Sequence, residues 1–336
     1  MRSLYCLLPF ALVSLSGALF AQTAAPAAEA PAQKQHMLWQ KLEAEIAQTD
    51  GELDGVLGVA LTDLTTGQQL LHNADQVFPT ASVIKLAVLA ELYRQEQQGA
   101  AGSSKQSGAA GAAGKARLAD LYTVRQEDLV PDSDILGGLT PGVTRLTNRD
   151  LAQFVVAVSD NSAANILIER VGMENVNALL DSLGLTHTRL RRKMMDLAAA
   201  RQGRENVATP REMAALLQAI YSGKVLEKSL TDDFFKLLSS GRIHYHAHLR
   251  DGGIPEDVAI AEKEGWLEGV RADCGVVFVP GRPFVLCVMT SYLKDERAGE
   301  AAISRIAGAA YRTFDRLGRA SPYGRIISPR NSGSPK

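Results

Sequence analysis

Apolar residues follow two different spacings along the chain, and each spacing occupies its own regions. Early in the chain, "GVLGVALTDLTTGQQLLHNAD" has two apolar runs on either side of "DLTTG", which predicts a β-hairpin. Three further strand-like runs come late, namely "DVAIAEKEG", "VRADCGVVFV" and "PFVLCVMTSY". Between these regions, residues 120–240 follow the helical spacing. Strands are therefore predicted near both ends of the chain and helices in its middle.

Helices are also predicted next to the strand regions. In "MLWQKLEAEIAQ", one face of a helix carries Leu38, Leu42 and Ile46. A second helix is expected to begin near Ser82, and a long final helix is expected over about residues 296–317. The first and last helices are thus available to cover a sheet.

One helix start in the middle region has a specific motif. The stretch "TPRE", Thr209 to Glu212, is a capping box with proline at the first helical position. The simplest arrangement of all these elements is a mixed α/β (α+β) fold. Its antiparallel sheet is flanked by the terminal helices, and an all-α subdomain of about residues 120–240 is inserted. A ligand site is expected in the cleft between the two parts.

The N-terminus has the pattern of a secretory signal peptide over residues 1–21. Arg2 precedes an apolar run from Leu4 to Phe20, and Ala21 is a suitable last residue before cleavage. An uncleaved anchor is disfavoured because Pro9, Ser14 and Ser16 make the run a poor spanning helix. We therefore expect a periplasmic or secreted protein without a stable membrane span.

Three segments of biased composition bound a single domain over residues 37–318. Residues 22–36 are rich in alanine and proline, as in a linker. Residues 99–114 form a low-complexity Gly/Ala insertion that cannot bury apolar area. Residues 319–336 are expected to be a flexible tail.

The charge balance excludes one class of partner and the histidines suggest no metal. With 36 Lys and Arg against 37 Asp and Glu, the formal net charge is -1, so a nucleic-acid partner is not indicated. His244, His246 and His248 alternate in "HYHAH", a spacing that can bind zinc, but no other cluster completes such a site. We expect no metal, no cofactor and a monomer.

Two cysteines remain after signal removal, Cys274 and Cys287, and both fall on one predicted hairpin. If Gly281 and Arg282 form the turn, Cys274 faces Met289 and Cys287 is only its diagonal neighbour. Diagonal neighbours are roughly 7–8 Å apart, which is too far for an easy disulfide. Both cysteines are therefore expected to be small core residues.

Three polar features interrupt apolar elements. Ser82 and Lys85 are three residues apart in "TASVIK" and share a helical face, either as ordinary polar residues or as a nucleophile and its base. Ser159 and Asn161 belong to "SDN", a break between helical runs that could cap helices or contact a substrate. Lys263 lies on a late strand, where it either protects a sheet edge against aggregation or faces a ligand. Gly265, two residues later, would let a ligand approach the backbone closely.

The order and spacing of these features resemble the class A β-lactamases and their penicillin-binding relatives. The resemblance covers about residues 37–318, including "LTDLTTGQQLLHNADQVFPTASVIK" and "VSDNSAANILIERVG". It implies a serine nucleophile at Ser82 with Lys85 as its base partner. It also implies that Ser159 passes a proton to the β-lactam nitrogen and that Asn161 holds the substrate's side-chain amide.

The resemblance extends to the late strands. It places Lys263 near Ser159 and the substrate carboxylate, with Arg271 on the next strand as a candidate partner of the same carboxylate. The backbone N–H groups of Ser82 and Trp266 would form the oxyanion hole. Such donors are each worth roughly 3–4 kcal/mol in related chemistry.

Two departures from the family pattern affect the expected activity. The family motif Lys-Thr/Ser-Gly reads Lys263-Glu264-Gly265, and Glu264 would repel a carboxylate unless it pairs, for example with Arg271. The position of the family's water-activating glutamate falls on Met194, and the nearest carboxylate is Asp196. Slow deacylation is therefore expected.

The sequence favours an exported serine hydrolase that opens the β-lactam amide through an acyl-enzyme. One alternative is a penicillin-binding D,D-peptidase that acts on peptidoglycan. Another is a non-hydrolytic module that binds or senses β-lactams. In each case the partner is a small β-lactam or a peptidoglycan-derived substrate.

Overall fold

The structure is a computed structural model that describes residues 29–102, 115–240 and 248–327. The predicted signal peptide, most of the Gly/Ala insertion and the end of the predicted tail lie outside the described residues. The same holds for His244 and His246. His248 is described and begins a short helix rather than a strand.

The strands of the described chain form one large sheet and two small ones. The large antiparallel sheet has the order β2–β1–β9–β8–β7, so the N-terminal hairpin pairs with the last strand, as predicted. The other strands form the pairs β3–β6 and β4–β5. In chain order the strands are β1 (Val56–Asp63), β2 (Gln69–His72), β3 (Phe78–Pro79), β4 (Leu121–Thr123), β5 (Arg145–Thr147), β6 (Val207–Ala208), β7 (Ile260–Leu267), β8 (Val270–Val277) and β9 (Phe284–Ser291).

Helices cover both faces of the large sheet and build the middle of the chain. The first and last helices pack against each other on one face, and α7 packs on the other. In the described residues the helices are α1 (Glu29–Glu52), α2 (Lys85–Gly102), α3 (Asn148–Ala157), α4 (Asn161–Val171), α5 (Met173–Ser182), α6 (Leu197–Arg201), α7 (Pro210–Tyr221), α8 (Lys228–Leu238), α9 (His248–Asp251) and α10 (Glu296–Arg319). The predicted α+β fold with an inserted helical part is confirmed.

Strand alternation divides the apolar residues between two cores. Along β1, Leu57, Val59 and Leu61 face the core under α1 and α10, whereas Ala60 faces the helical part. The first core includes an edge-to-face pair of Trp39 and Phe314, whose ring centroids are 5.5 Å apart. The two cores meet at the sheet, which therefore holds the terminal helices and the helical part in a fixed relation.

The predicted N-cap at Thr209 is present, but the predicted capping box is not complete. Thr209 caps α7 by accepting a hydrogen bond from the Glu212 N–H at 3.1 Å, with Pro210 at the first helical position. The Glu212 carboxylate accepts instead from the His187 and Thr188 N–H groups at 3.0 and 2.6 Å. At the N-terminus, α1 begins at Glu29, inside the segment interpreted as a linker. No helix among the described residues combines the length and apolar character needed to span a bilayer.

The prediction for the two cysteines is wrong. Cys274 and Cys287 are direct cross-strand partners and form a disulfide. The last strand pair is Val277 with Phe284, so the connection is the loop 278–283 rather than a tight turn at Gly281 and Arg282. This longer loop moves the register and brings the two cysteines opposite each other.

Candidate active site

A cleft of about 480 Å³ lies between β7 and the helical part of the molecule. It contains several side chains that the sequence singled out, including Ser82, Ser159, Asn161, Glu264 and Trp266. The 191–206 segment, which lies between α5 and β6 in the chain, contributes a third side. The complete lining is Ala81, Ser82, Asp132, Asp134, Val158, Ser159, Asn161, Arg192, Met194, Met195, Leu197, Asn206, Glu264, Trp266, Leu267 and Glu268.

Ser82 lies on a 3₁₀ turn, Ala81–Ile84, that leads directly into α2. Gly265 of β7 packs against this turn. A Cβ at Gly265 would lie 2.8 Å from the Thr80 carbonyl oxygen and 3.0 Å from the Ser82 nitrogen. The sequence explained this glycine by the approach of a substrate, but in the structure it allows β7 to approach the turn that carries Ser82.

Lys85 is the first residue of α2 and is fully buried. Its Nζ donates hydrogen bonds to the Ser159 carbonyl oxygen at 2.6 Å, to Ser159 Oγ at 3.1 Å and to Asn161 Oδ1 at 2.8 Å. Burial removes the hydration of the ammonium group and holds the pKa of Lys85 well below its usual value, and the nearby charge of Lys263 lowers it further. A lysine that is held neutral can accept a proton from a hydroxyl group.

Lys263 reaches the same serine from the sheet side. Its buried Nζ donates to Ser159 Oγ at 3.0 Å, to the Glu264 carbonyl oxygen at 3.0 Å and to Glu264 Oε1 at 2.9 Å. The Ser159 hydroxyl therefore accepts hydrogen bonds from two lysines. Since a hydroxyl oxygen has two lone pairs, its own proton remains available to a third group in the cleft.

Asp160 lies at the break between α3 and α4 and stabilises it through hydrogen bonds. Its carboxylate caps α4 by accepting from the Ala163 N–H at 2.9 Å, and it also accepts from the Leu136 N–H at 2.9 Å. This buried cap fixes the backbone between Ser159 and Asn161. The polar interruption seen in the sequence thus has a structural part, Asp160, and two residues that line the cleft.

Strained backbone is concentrated around the cleft. Six non-glycine residues of the described chain have φ in the left-handed region, and four of them line the cleft. Such conformations cost of order 1–3 kcal/mol each and cluster at functional sites. The four are Ala81, Asp132, Ser159 and Met195, with φ of 46°, 54°, 55° and 62°.

Met194 occupies the side of the cleft formed by the 191–206 segment. Its backbone is fixed by Asn165 of α4, because the Met194 N–H donates to Asn165 Oδ1 at 2.7 Å and Asn165 Nδ2 donates to the Met194 carbonyl at 3.0 Å. Sequence reasoning missed Asn165, although it lies four residues after Asn161 on the same face of a helix.

The 191–206 segment is closed by a second amide, Asn206, which the sequence also did not indicate. Its side chain accepts from the Arg191 and Arg192 N–H groups at 2.7 and 3.0 Å and donates to the Arg192 carbonyl at 3.1 Å. Its own carbonyl accepts from the Thr80 N–H at 2.9 Å. Asn206 therefore connects the segment to the residue two positions before Ser82.

Asp196 does not belong to the cleft lining. It is exposed and is the N-cap of α6, where its Oδ1 accepts from the Ala199 N–H at 2.9 Å. The expectation that Asp196 supplies a catalytic carboxylate is therefore not met, because the side chain is held at the surface by its own helix.

Arg271 is likewise outside the cleft lining. Its guanidinium donates to Glu296 Oε2 at 2.5 Å and to Glu300 Oε1 at 2.8 Å, both on α10. The suggested pair of Arg271 and Glu264 does not form. Glu264 is instead buried beside Lys263, so it compensates the charge of that lysine.

The comparison with known proteins agrees with this geometry. A family model described as "Beta-lactamase enzyme family" matches residues 37–107 and 109–314. The chain is 30% identical over 282 residues to β-lactamase AST-1 of Nocardia asteroides, with 82% of each chain covered. It is 29% identical over 272 residues to the carbapenem-hydrolyzing β-lactamase KPC of Klebsiella oxytoca, covering 79% of this chain and 86% of that protein.

Solved structures show the same fold. An ancestral class A β-lactamase superposes with a TM-score of 0.70 at 29% identity, covering 81% of this chain and 100% of that chain. The β-lactamase from Sphaerobacter thermophilus superposes with a TM-score of 0.69 at 29% identity, covering 82% and 97%. The chain therefore belongs to the β-lactamase enzyme family and has the fold of its class A members.

Proposed function

We propose that the protein is a serine hydrolase that opens the β-lactam amide through an acyl-enzyme on Ser82. The observation that carries the proposal is the convergence of two buried lysines on one serine hydroxyl beside Ser82. Lys85 and Lys263 donate to Ser159 Oγ at 3.1 and 3.0 Å. This arrangement supplies a base with a lowered pKa and a hydroxyl that can deliver a proton.

In the proposed acylation, Ser82 Oγ attacks the carbonyl carbon of the lactam and its proton goes to neutral Lys85. The backbone N–H groups of Ser82 and Trp266 stabilise the oxyanion. When the C–N bond breaks, Ser159 gives its proton to the leaving nitrogen and recovers one from a neighbouring lysine. Asn161 holds the side-chain amide of the substrate, and Lys263 polarises Ser159.

We propose that the second step, hydrolysis of the ester, is slow. A water attacks an ester quickly only if a base removes its proton, which contributes about 10²–10⁴-fold. The 191–206 segment lines the cleft with Arg192, Met194, Met195, Leu197 and Asn206, none of which is a carboxylate.

The missing carboxylate on this side also favours a second function, a penicillin-binding D,D-peptidase. Such an enzyme forms the same ester from a peptidoglycan peptide and does not need to destroy β-lactams rapidly. A non-hydrolytic β-lactam sensor would also keep the ester. The three functions share acylation of Ser82 and differ in the fate of the ester.

We further propose that the protein is exported and acts as a monomer. The export proposal rests on the sequence of residues 1–21. The disulfide between Cys274 and Cys287 supports it, because disulfides persist in oxidising compartments such as the periplasm.

The test is intact-mass spectrometry after the protein is mixed with penicillin G. We expect a covalent adduct with the mass of the intact antibiotic, and we expect Ser82→Ala to abolish it. Ser229→Ala, at an exposed position on α8, is the matched control and should keep the adduct. An adduct that forms on the Ser82→Ala variant would contradict the proposal.

A peptide ending in D-Ala-D-Ala separates the three functions. Release of D-alanine identifies the peptidase. Decay of the penicillin adduct with production of the opened drug identifies the β-lactamase, and a stable adduct without either product identifies the sensor.

A further inference from the structure

We infer that the cleft favours acyl donors with an ammonium group on the acylamino side chain over donors with a carboxylate there, and that Asp132 determines this preference. The inference rests on the proposed function, since it concerns the substrate of the same site. It follows from the distribution of charge around the cleft.

The cations at the cleft are already engaged by protein groups. Lys263 makes three hydrogen bonds, which use the three donors of its ammonium group. Lys85, which is neutral in the proposed mechanism, has three hydrogen-bond partners of its own within the protein. Arg192 donates to Glu205 Oε2 at 2.8 and 3.2 Å and to the Lys193 carbonyl at 3.2 Å. A negatively charged substituent would have to displace one of these partners.

Three exposed carboxylates line the cleft, namely Asp132, Asp134 and Glu268. Asp134 has a partner within the protein. Within the described part of the chain, the carboxylates of Asp132 and Glu268 accept no hydrogen bond and form no ion pair. They leave the cleft mouth with negative charge that a substrate cation can balance.

Asp132 is placed where the side chain of an acyl donor would extend. Its carbonyl oxygen accepts a hydrogen bond from the Asn161 N–H at 3.3 Å, so the two residues are neighbours. In the proposed mechanism, Asn161 holds the side-chain amide of the substrate. A substituent on the carbon next to that amide therefore comes close to the Asp132 carboxylate.

Three penicillins test this placement because they share one scaffold. Penicillin G, ampicillin and carbenicillin carry a hydrogen, an ammonium group and a carboxylate on that carbon. One charge pair at an exposed site changes the interaction by up to about fivefold. We expect the second-order rate constant for Ser82 acylation to fall in the order ampicillin, penicillin G, carbenicillin, and the differences to shrink at high salt.

The decisive variant is Asp132→Asn. Asparagine tolerates the left-handed backbone at this position, where φ is 54°, so the variant should fold. We expect it to reduce the ampicillin-to-carbenicillin ratio at least threefold and to change the rate with penicillin G little. Glu174→Gln, on the exposed side of α5, removes a carboxylate outside the cleft lining and should leave the ratio unchanged.

The outcomes separate the inference from the proposed function. Equal rates for the three penicillins, a reversed order, or a ratio that Asp132→Asn does not alter would overturn the inference while Ser82 acylation stands. If none of the three forms an adduct on Ser82, the proposed function fails and the inference falls with it.

Discussion

Two sides of the same cleft differ in their chemistry. The side built from the Ser82 turn, the α3–α4 break and β7 holds buried Lys85 and Lys263, which share hydrogen bonds with Ser159. The 191–206 segment presents Met194, Met195 and Leu197. Both sides are firmly held, the first by the lysine network and the second by the amides of Asn165 and Asn206.

This difference predicts that the two steps of the proposed acyl-enzyme mechanism depend on separate parts of the fold. Polar groups for forming the ester are concentrated on the first side. Hydrogen bonds hold the backbone of the second side in place. Its apolar lining therefore comes from the side chains that the sequence places there and not from a collapse of the loop. Changing one side should therefore affect one step and spare the other.

The largest effect is expected from Lys85→Met, which removes the proposed base from the first side. Methionine fills a similar volume but cannot accept a proton, so acylation by penicillin G should slow by about 10²–10⁴-fold. Rapid-mixing mass spectrometry measures the rate. Lys228→Met, which removes an exposed lysine paired with Asp232 on α8, should have no effect. A folded Lys85→Met protein that is acylated at the wild-type rate would exclude Lys85 as the base.

The next largest effect is expected from Met194→Glu, which introduces a carboxylate on the second side. A carboxylate at this position can take a proton from the attacking water, and we expect the lifetime of the penicilloyl-enzyme to fall by about a hundredfold. The hydrogen bonds with Asn165 involve the Met194 backbone and should survive the change. Adduct decay followed by intact mass is the measurement.

Asp196→Asn is the matched comparison for this prediction. Asparagine is as good an N-cap as aspartate, so α6 should remain. Because Asp196 lies outside the cleft lining, the lifetime of the adduct should stay the same. A much longer lifetime in Asp196→Asn would show that this carboxylate reaches the water after all.

A smaller effect is expected from Gly265→Ala, which should slow the acylation of Ser82 about tenfold. The added Cβ would meet the Thr80 carbonyl oxygen at 2.8 Å and push β7 away from the turn that carries Ser82. Overpacking of this kind typically costs about 1–3 kcal/mol of stability. Gly138→Ala is the control, since a Cβ there meets no atom within 4 Å. Equal acylation by both variants would show that the close packing at Gly265 does not position Ser82.

Local patterns in the sequence were sufficient for most of the fold. The hairpin around "DLTTG", the late strands and the cap at Thr209 each depend on residues close together in the chain. The grouping of Ser82, Lys85, Ser159, Asn161 and Lys263 followed from the resemblance of their motifs to those of the class A β-lactamases, and the structure brings these residues together.

What the sequence could not supply depends on distant partners. The direction of Arg271 is set by Glu296 and Glu300 on another element, and the disulfide depends on the length of the loop 278–283. Asp132 and Asn206 lie in irregular segments, where no apolar period marks a residue as buried or as facing a cleft.

The smallest change is expected from Glu264→Gln, which alters charge on the first side without removing its lysines. The Glu264 carboxylate accepts from Lys263 Nζ at 2.9 Å and is one of the groups that raise the pKa of Lys85, against the larger lowering by burial and by Lys263. Without this carboxylate the pKa of Lys85 should fall further. In the proposed mechanism acylation requires neutral Lys85, so it is lost as pH drops through that pKa, and the acid limb of the pH–rate profile should move to lower pH.

The same substitution also affects the binding of anionic β-lactams. A neutral amide repels the substrate carboxylate less and leaves more of the charge of Lys263 available to it, so acylation on the plateau should rise about severalfold. The profile is measured with penicillin G between mildly acidic and mildly alkaline pH. A shift of the acid limb to higher pH would mean that Glu264 acts on Lys85 through the packing of β7 rather than through its charge.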